Sequence, residues 1–313
     1  MKPVVRLIAV VGGVAFIALA PAATVAQART ARGITRETPA TTSLAVAGTH
    51  QLLVSVNQLV ARSPMSLTAA VEPIVAGSGG SVSVALIELN GATPLVWNYN
   101  GSEVFTAAST YKLAALMLEA ENIAGGQADP NGLVCYQDSD YEDGWFDDYG
   151  DGMCYTRTEL AQRAGLYSDN TAGHMLVRDV GGADALNAWA ASVGTKDSVL
   201  FTDNTTTASD LATLWTAEAK GSLGGAAAQA WLYPVLTGTA TEGGIPAGVS
   251  GKSTVVHKTG TIDQVENDAA LVTAGPNGAY VLVVMTDGLG GDAGWQVIAS
   301  VSASVWSFEA ARA

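Results

Sequence analysis

Basic side chains are scarce in this sequence: 15 Lys and Arg stand against 29 Asp and Glu, a formal net charge of −14. A surface of that sign repels phosphate backbones and anionic headgroups, which argues against nucleic acid and acidic membranes as partners. Cysteine is nearly absent too, with only Cys135 and Cys154, so at most one internal disulfide can form. No G-x-S-x-G occurs, which removes the strand-to-helix nucleophile elbow of the esterases. The N-terminal apolar run, Leu7 to Ala20, is shorter than a membrane span needs.

That run has a different reading. A short basic head, Met1 to Arg6, precedes it, and Ala26-Gln27-Ala28 follows as an A-x-A cleavage site. Residues 1–28 are therefore expected to be a signal peptide, making the mature chain secreted or otherwise extracytoplasmic; a retained membrane anchor is the alternative. No Cys follows the apolar run, so a lipid anchor is not indicated. Loss of Lys2 and Arg6 leaves 13 basic against 29 acidic residues, a net of −16. Residues 29–49, Thr- and Ala-rich without periodicity, read as a flexible linker. Leu52, Leu53, Val56, Leu59 and Val60 recur at helical spacing, so 50–64 is expected to be a helical extension.

The remaining chain, 65–313, is long and apolar enough for one domain with two lobes. Helical and strand patterns alternate along it, and the C-terminal strands are consecutive. The expectation is an α+β fold: an antiparallel five-stranded sheet flanked by helices, with an all-helical lobe and the active site between the two. Helices are expected at Ser66–Val75, Arg157–Leu166, through Arg178, Ala183–Val193, Thr205–Ala219, Ala226–Leu236 and Ala293–Ala310. Strands are expected at Ser81–Leu89, Pro94–Tyr99, Val255–Thr259, Leu271–Ala274 and Tyr280–Thr286.

Ser109-Thr110-Tyr111-Lys112 opens an Ala- and Leu-rich run that ends near Gly125-Gly126. Ser109 is thus placed at a helix N-terminus, with Lys112 one turn on and on the same face. A serine hydroxyl needs a neighbour to take its proton, and an amine can do so once burial lowers its pKa. The S-x-x-K pattern alone is loose. It is followed, however, by Ser168-Asp169-Asn170 and by Lys258-Thr259-Gly260. S-x-x-K, S-D-N and K-T-G in that order form the signature of class A β-lactamases and penicillin-binding proteins. Over residues 65–313 the chain resembles class A β-lactamases, with further likeness at Gly181 to Leu186, Thr205-Thr206-Thr207 and Asn267-Asp268-Ala269-Ala270.

The resemblance implies roles by position. Ser109 is the nucleophile and Lys112 its base. Ser168 relays a proton to the leaving nitrogen. Asn170 binds the substrate amide and helps to hold Lys112, and Lys258 adds positive potential. Thr259 and Thr261 contact the substrate carboxylate, and the backbone N–H groups of Ser109 and Thr261 form the oxyanion hole. Asp169 is assigned to its loop and Gly260 to close backbone approach. No cofactor is implied. The substrate is a small β-lactam or a peptide of D-Ala-D-Ala type, and the protein is expected to be a monomer. His257, one residue from Lys258 on a strand, faces the other way and reads as a strand-face polar residue.

Three departures qualify the resemblance. The family's omega loop carries E-x-x-L-N, whose Glu orients the water that breaks the acyl-enzyme; here the short stretch Gly194 to Asn204 lacks it. Asp197 and Asp203 are its only carboxylates, read either as a substitute base or as turn and cap residues. The Arg that the family places after K-T-G is absent from Asp263 to Asn267, which holds two acids instead. Finally, 130–155 is an acidic insert, expected to be closed by a Cys135–Cys154 disulfide worth ~3 kcal/mol of loop entropy. It reads as a solvated acidic loop bordering the site. The alternative is a calcium loop using Asp138, Asp140, Asp143, Asp147 and Asp151, although the EF-hand register is not met. Three functions stay open: an acyl-forming β-lactamase, slow because the deacylating Glu is missing; a D-Ala-D-Ala carboxypeptidase or transpeptidase of the cell wall; and a non-catalytic binding module.

Overall fold

The computed structural model describes residues 63–90, 94–251 and 253–313. The expected signal peptide, linker and nearly all of the helical extension lie outside them, as does Gly91 of the expected Asn90-Gly91 turn. The first helix, α1 (Pro64–Ser78), starts on a proline, whose missing N–H falls where a helix needs none. Strands β1 (Ser81–Glu88) and β2 (Val96–Tyr99) follow, then the short β3 (Val104–Thr106). Strands β7 (Val255–Ile262), β8 (Val265–Gly275) and β9 (Gly278–Asp287) come late in the chain. Together they build one five-stranded sheet in the order β2-β1-β9-β8-β7, every pair antiparallel.

Both faces of the sheet are covered, and β9 shows why. In Tyr280 to Met285 every residue is buried. With a period of two, Val281, Val283 and Met285 face one core, while Leu282 and Val284 face the other. The second face carries α1 and the C-terminal helix α9 (Asp292–Arg312), through Leu67, Val71, Ile298, Val301 and Val305. The first face is packed by α6 (Ala208–Ala219), whose Trp215 is fully buried. Large apolar side chains buried in this way contribute about 2–3 kcal/mol each.

The helical lobe is wrapped around α2 (Tyr111–Ala124). All ten residues from Tyr111 to Ala120 are buried, Lys112 and Glu119 among them, so the helix is enclosed on every side rather than lying at the surface. Against it pack α4 (Asn170–Asp179), α5 (Gly182–Val193) and α7 (Gly225–Leu232). The helix α3 (Arg157–Leu166) has the expected bounds and opens on a Thr156–Glu159 capping box.

Several boundaries differ from expectation. Thr205–Thr207 is a strand, β6, paired antiparallel with β3, and α6 begins only at Ala208. Three consecutive β-branched residues favour an extended chain, and Thr207 then caps the helix by accepting from the Asp210 N–H. The expected strand at 271–274 begins at Val265, because Val265 to Asp268 continue the pairing with β7. A short helix, α8 (Ile245–Gly248), interrupts the expected loop at 237–251, and Tyr233–Leu236 is a 3-10 turn.

Glu218 on α6 is fully buried, and neither carboxylate oxygen has a hydrogen-bond partner in this structure. Burial, reinforced by the charge of Glu121, pushes its pKa up to about 7. The folded protein therefore binds a proton there that the unfolded chain has lost. This group's contribution to stability falls as pH rises from 4.5 through about 7, by roughly 3 kcal/mol in all. Chemical denaturation of Glu218→Gln between pH 4 and pH 8 is expected to show a shallower fall in stability with pH than the parent protein. An unchanged slope would mean that Glu218 is ionised in the fold.

Candidate active site

Ser109 lies in a 3-10 turn, Ala108–Thr110, that leads directly into α2. Its neighbour Ala108 is held at φ 48°, an uncommon conformation for a residue with a side chain, and the backbone turns sharply there. The turn is fixed from three sides. Thr110 Oγ1 donates to the Ala107 carbonyl at 2.6 Å, Ala107 N–H donates to the Asn204 carbonyl at 2.7 Å, and Asn267 Nδ2 donates to the carbonyls of Thr106 and Ala107.

Lys112 is fully buried one turn along α2. Its Nζ reaches Ser109 Oγ at 3.0 Å, the Ser168 carbonyl at 2.6 Å and Asn170 Oδ1 at 2.7 Å. Burial lowers its pKa to about 8, against the opposing charges of Asp169 and Glu142. A neutral amine is therefore accessible near physiological pH, 3.0 Å from the Ser109 hydroxyl. Helix α4 packs tightly here: a methyl group on Gly173 would sit 2.7 Å from Lys112 Cε.

Ser168 takes a left-handed backbone (φ 60°), which turns its carbonyl to Lys112 while its Oγ accepts from Lys258 Nζ at 2.9 Å. Lys258, on β7, is almost wholly buried, and its Nζ also donates to the Thr259 carbonyl. Burial, followed by the charge of Lys112, holds its pKa well below the usual lysine value. A chain thus runs from Ser109 through Lys112 and Ser168 to Lys258, built from three separate sequence motifs. Gly260 lets β7 lie against the nucleophile turn, since a Cβ there would meet the Ala107 carbonyl oxygen at 2.7 Å. His257 points to the other side of the strand and is buried. Burial opposes its charge, but Asp268 at 2.9 Å and Glu242 at 3.1 Å outweigh it and raise its pKa to about 9.

Other expected roles are altered. Thr261 lines the cavity, but its hydroxyl donates to Glu266 Oε2 at 2.6 Å instead of standing free for a substrate carboxylate. Glu266 is itself buried and accepts the Gly291 N–H at 2.8 Å. One of the two acids that replace the family's Arg is thus a structural group behind Thr261. Thr259 is buried beside Lys258 and is not among the residues lining the cavity. Asn170 holds Lys112 as expected, but its Nδ2, the group assigned to the substrate amide, donates to the Asp143 carbonyl at 2.7 Å.

Asp143 belongs to the acidic insert, which does border the site. The disulfide Cys135–Cys154 is present at the base, across the paired strands β4 (Leu133–Cys135) and β5 (Cys154–Thr156). The tip is fastened by Asp169. Its buried carboxylate accepts the N–H groups of Trp145 and Phe146, the Tyr149 hydroxyl at 2.6 Å, and the Ala172 N–H as helix cap. The carboxylates of the alternative calcium reading lie apart. Among the described residues no group of three or more His, Cys, Asp or Glu side chains converges as metal ligands. Asp140 is drawn to Arg178, Asp148 pairs with Arg163, and Asp138, Asp143, Asp147 and Asp151 lie exposed. Positive partners and solvent disperse the carboxylates that a metal would need together.

A cavity of about 400 Å³ opens at Ser109. Besides Asn170 and Thr261 it is lined by Tyr111, Glu142, His174, Phe201 and Asn204, none of which the sequence motifs assigned. His174 had a legible signal, lying one helical turn beyond Asn170 on the same face. Glu142 and Asn204 had none, because they arrive from distant loops. Asp197 and Asp203 are exposed and do not line the cavity.

The sequence profile of the β-lactamase enzyme family matches residues 66–308. The chain belongs to the β-lactamase enzyme family. Among solved structures, PBP-A is 26% identical, with 77% of this chain and 95% of PBP-A covered at a TM-score of 0.70. A point mutant of PBP-A, solved as its acyl-enzyme complex with penicillin G, is similar at 26% identity and a TM-score of 0.71, over 78% of this chain and 96% of that one. A β-lactamase from Sphaerobacter thermophilus is 25% identical over 76% of this chain and 96% of its own, at a TM-score of 0.69. Membership of this family supports serine hydrolase activity, and in this structure the Ser109 hydroxyl and the Lys112 amine are in hydrogen-bond contact.

Asp169→Asn would turn an amide NH₂ toward donors now held by the carboxylate, removing charge-assisted bonds worth about 1.5–3 kcal/mol each. The variant is expected to melt at lower temperature and to be cut by protease within 142–149 well before the parent protein. Equal cleavage would show that the insert is held by the disulfide alone.

Proposed function

We propose that this protein is an exported active-site-serine enzyme that is acylated at Ser109 by β-lactams and hydrolyses the resulting ester. The observation that carries the reading is the 3.0 Å contact between Ser109 Oγ and the buried Lys112 Nζ, an amine whose pKa is lowered to about 8. In its neutral form Lys112 removes the hydroxyl proton as Oγ attacks the lactam carbonyl. The proton reaches the departing nitrogen through Ser168, whose Oγ is held by Lys258. The N–H groups of Ser109 and Thr261 are assigned to the developing oxyanion. The basic head, apolar run and A-x-A site support export before the enzyme meets its substrate.

A second reading, a cell-wall D-Ala-D-Ala peptidase, has one specific observation in its favour. The stretch Gly194 to Asn204 lacks the E-x-x-L-N whose Glu the family uses for deacylation, a residue that penicillin-binding enzymes do not need. The likeness to PBP-A is compatible with either reading.

Intact mass of the mature protein mixed with excess penicillin G separates the two. A transient adduct with steady loss of penicillin is expected, and no adduct in Ser109→Ala. A permanent adduct would favour the peptidase, and none at all would sink the β-lactam reading. The acylation rate is expected to rise with pH through about 8, as Lys112 loses its proton. A rate that is level from pH 6 to pH 9 would remove Lys112 as the base.

A further inference from the structure

The cavity at Ser109 contains one carboxylate, that of Glu142, carried by the disulfide-closed insert. Its backbone is pinned in both directions by one side chain. The Glu142 N–H donates to Thr171 Oγ1 at 3.1 Å, and that hydroxyl donates to the Glu142 carbonyl at 2.8 Å. Its Oε2 lies 2.8 Å from His174 Nε2, and no described residue engages Oε1. His174 is itself braced edge-on against Phe201, with ring centroids 5.0 Å apart. Asn170 and His174 stand one turn apart on α4, so one helix face steadies both Lys112 and Glu142.

The opposite wall supplies a complementary group. Asn204 has a left-handed backbone (φ 51°), and its Nδ2 donates to the carbonyl of Ala108, the residue before Ser109. Its Oδ1 is buried without a hydrogen-bond partner. A buried amide oxygen without a donor costs about 1–3 kcal/mol, and a water molecule donating to it removes that cost. Glu142 and Asn204 thus line one cavity with Ser109, the first able to accept a proton and the second lacking a donor.

The geometry points to Glu142 as the general base that deacylates Ser109, acting on a water held between its carboxylate and Asn204 Oδ1, with His174 as the positioning residue. This rests on the acyl-enzyme reading above. Glu142 takes one proton from the water as its oxygen bonds to the ester carbonyl carbon. The tetrahedral oxyanion then collapses, the bond from carbon to Ser109 Oγ breaks, and Oγ recovers the proton. Ester and water become acid and free serine, with no other reactant. The base missing from the short omega-type loop is in this way supplied by the insert.

Acylation and deacylation by penicillin G, followed separately by rapid mixing and intact mass on the full mature chain, test the assignment. Glu142→Gln is expected to acylate within about threefold of the parent rate and to lose its adduct about 100-fold more slowly. Glu142→Asp is expected to recover part of that loss. His174→Asn is expected to slow deacylation about tenfold while leaving acylation unchanged, a split that general destabilisation does not produce. Deacylation of Glu142→Gln at the parent rate overturns the inference, as does failure of that variant to acylate. A parent adduct that never hydrolyses also overturns it, yet leaves the acyl-enzyme reading standing. Absence of any parent adduct removes that reading and the inference together.

Discussion

A buried lysine is the constraint around which this structure is arranged. Lys112 Nζ lies in a fully enclosed position and makes three contacts, to Ser109 Oγ, the Ser168 carbonyl and Asn170 Oδ1. An isolated ammonium there would be strongly disfavoured. The surroundings satisfy its hydrogen bonds, while the same burial that restricts the charge lowers its proton affinity. Tight packing of Gly173 on the lysine stem and of Gly260 on the nucleophile turn follows from this need for enclosure.

The insert belongs to the same arrangement and is more than an ornament on it. Asp169 is at once the middle residue of the second motif, the cap of α4 and the anchor for Trp145, Phe146 and Tyr149. Through it, the loop that delivers Glu142 to the cavity and the Asp143 carbonyl to Asn170 is fixed to the residue between two of the lysine's ligands, Ser168 and Asn170. Within 130–155, Asp148 and Asp140 are paired with Arg163 and Arg178, and Glu142 contacts His174. The segment therefore serves as an ordered wall of the site instead of a cation loop.

How much of this was legible from sequence depended on distance along the chain. Ser109 and Lys112 share a helical turn, and the other two motifs are contiguous triplets, so their residue types and order sufficed to pick out side chains that meet in the folded site. The sheet was legible because β1 alternates and β9 is an unbroken apolar run of strand length, the pattern of a strand covered on both faces. Boundaries failed where pairing partners decided them. Val265 to Asp268 extend a strand because β7 lies alongside, and Thr205 to Thr207 are a strand because β3 does.

The sequence by itself determined the fold class and the family likeness, since each rests on local pattern or on short motifs whose chemistry is carried by residue type. Only the tertiary structure decided which groups share the cavity. Glu142, His174 and Asn204 come from three different segments, and no periodicity links a carboxylate in an insert to an amide at the end of a distant loop. The commitments of Thr261 to Glu266 and of Asn170 to the Asp143 carbonyl are likewise tertiary facts. A hydrogen bond is specified by geometry within about 3 Å, and that proximity exists only once the chain has folded.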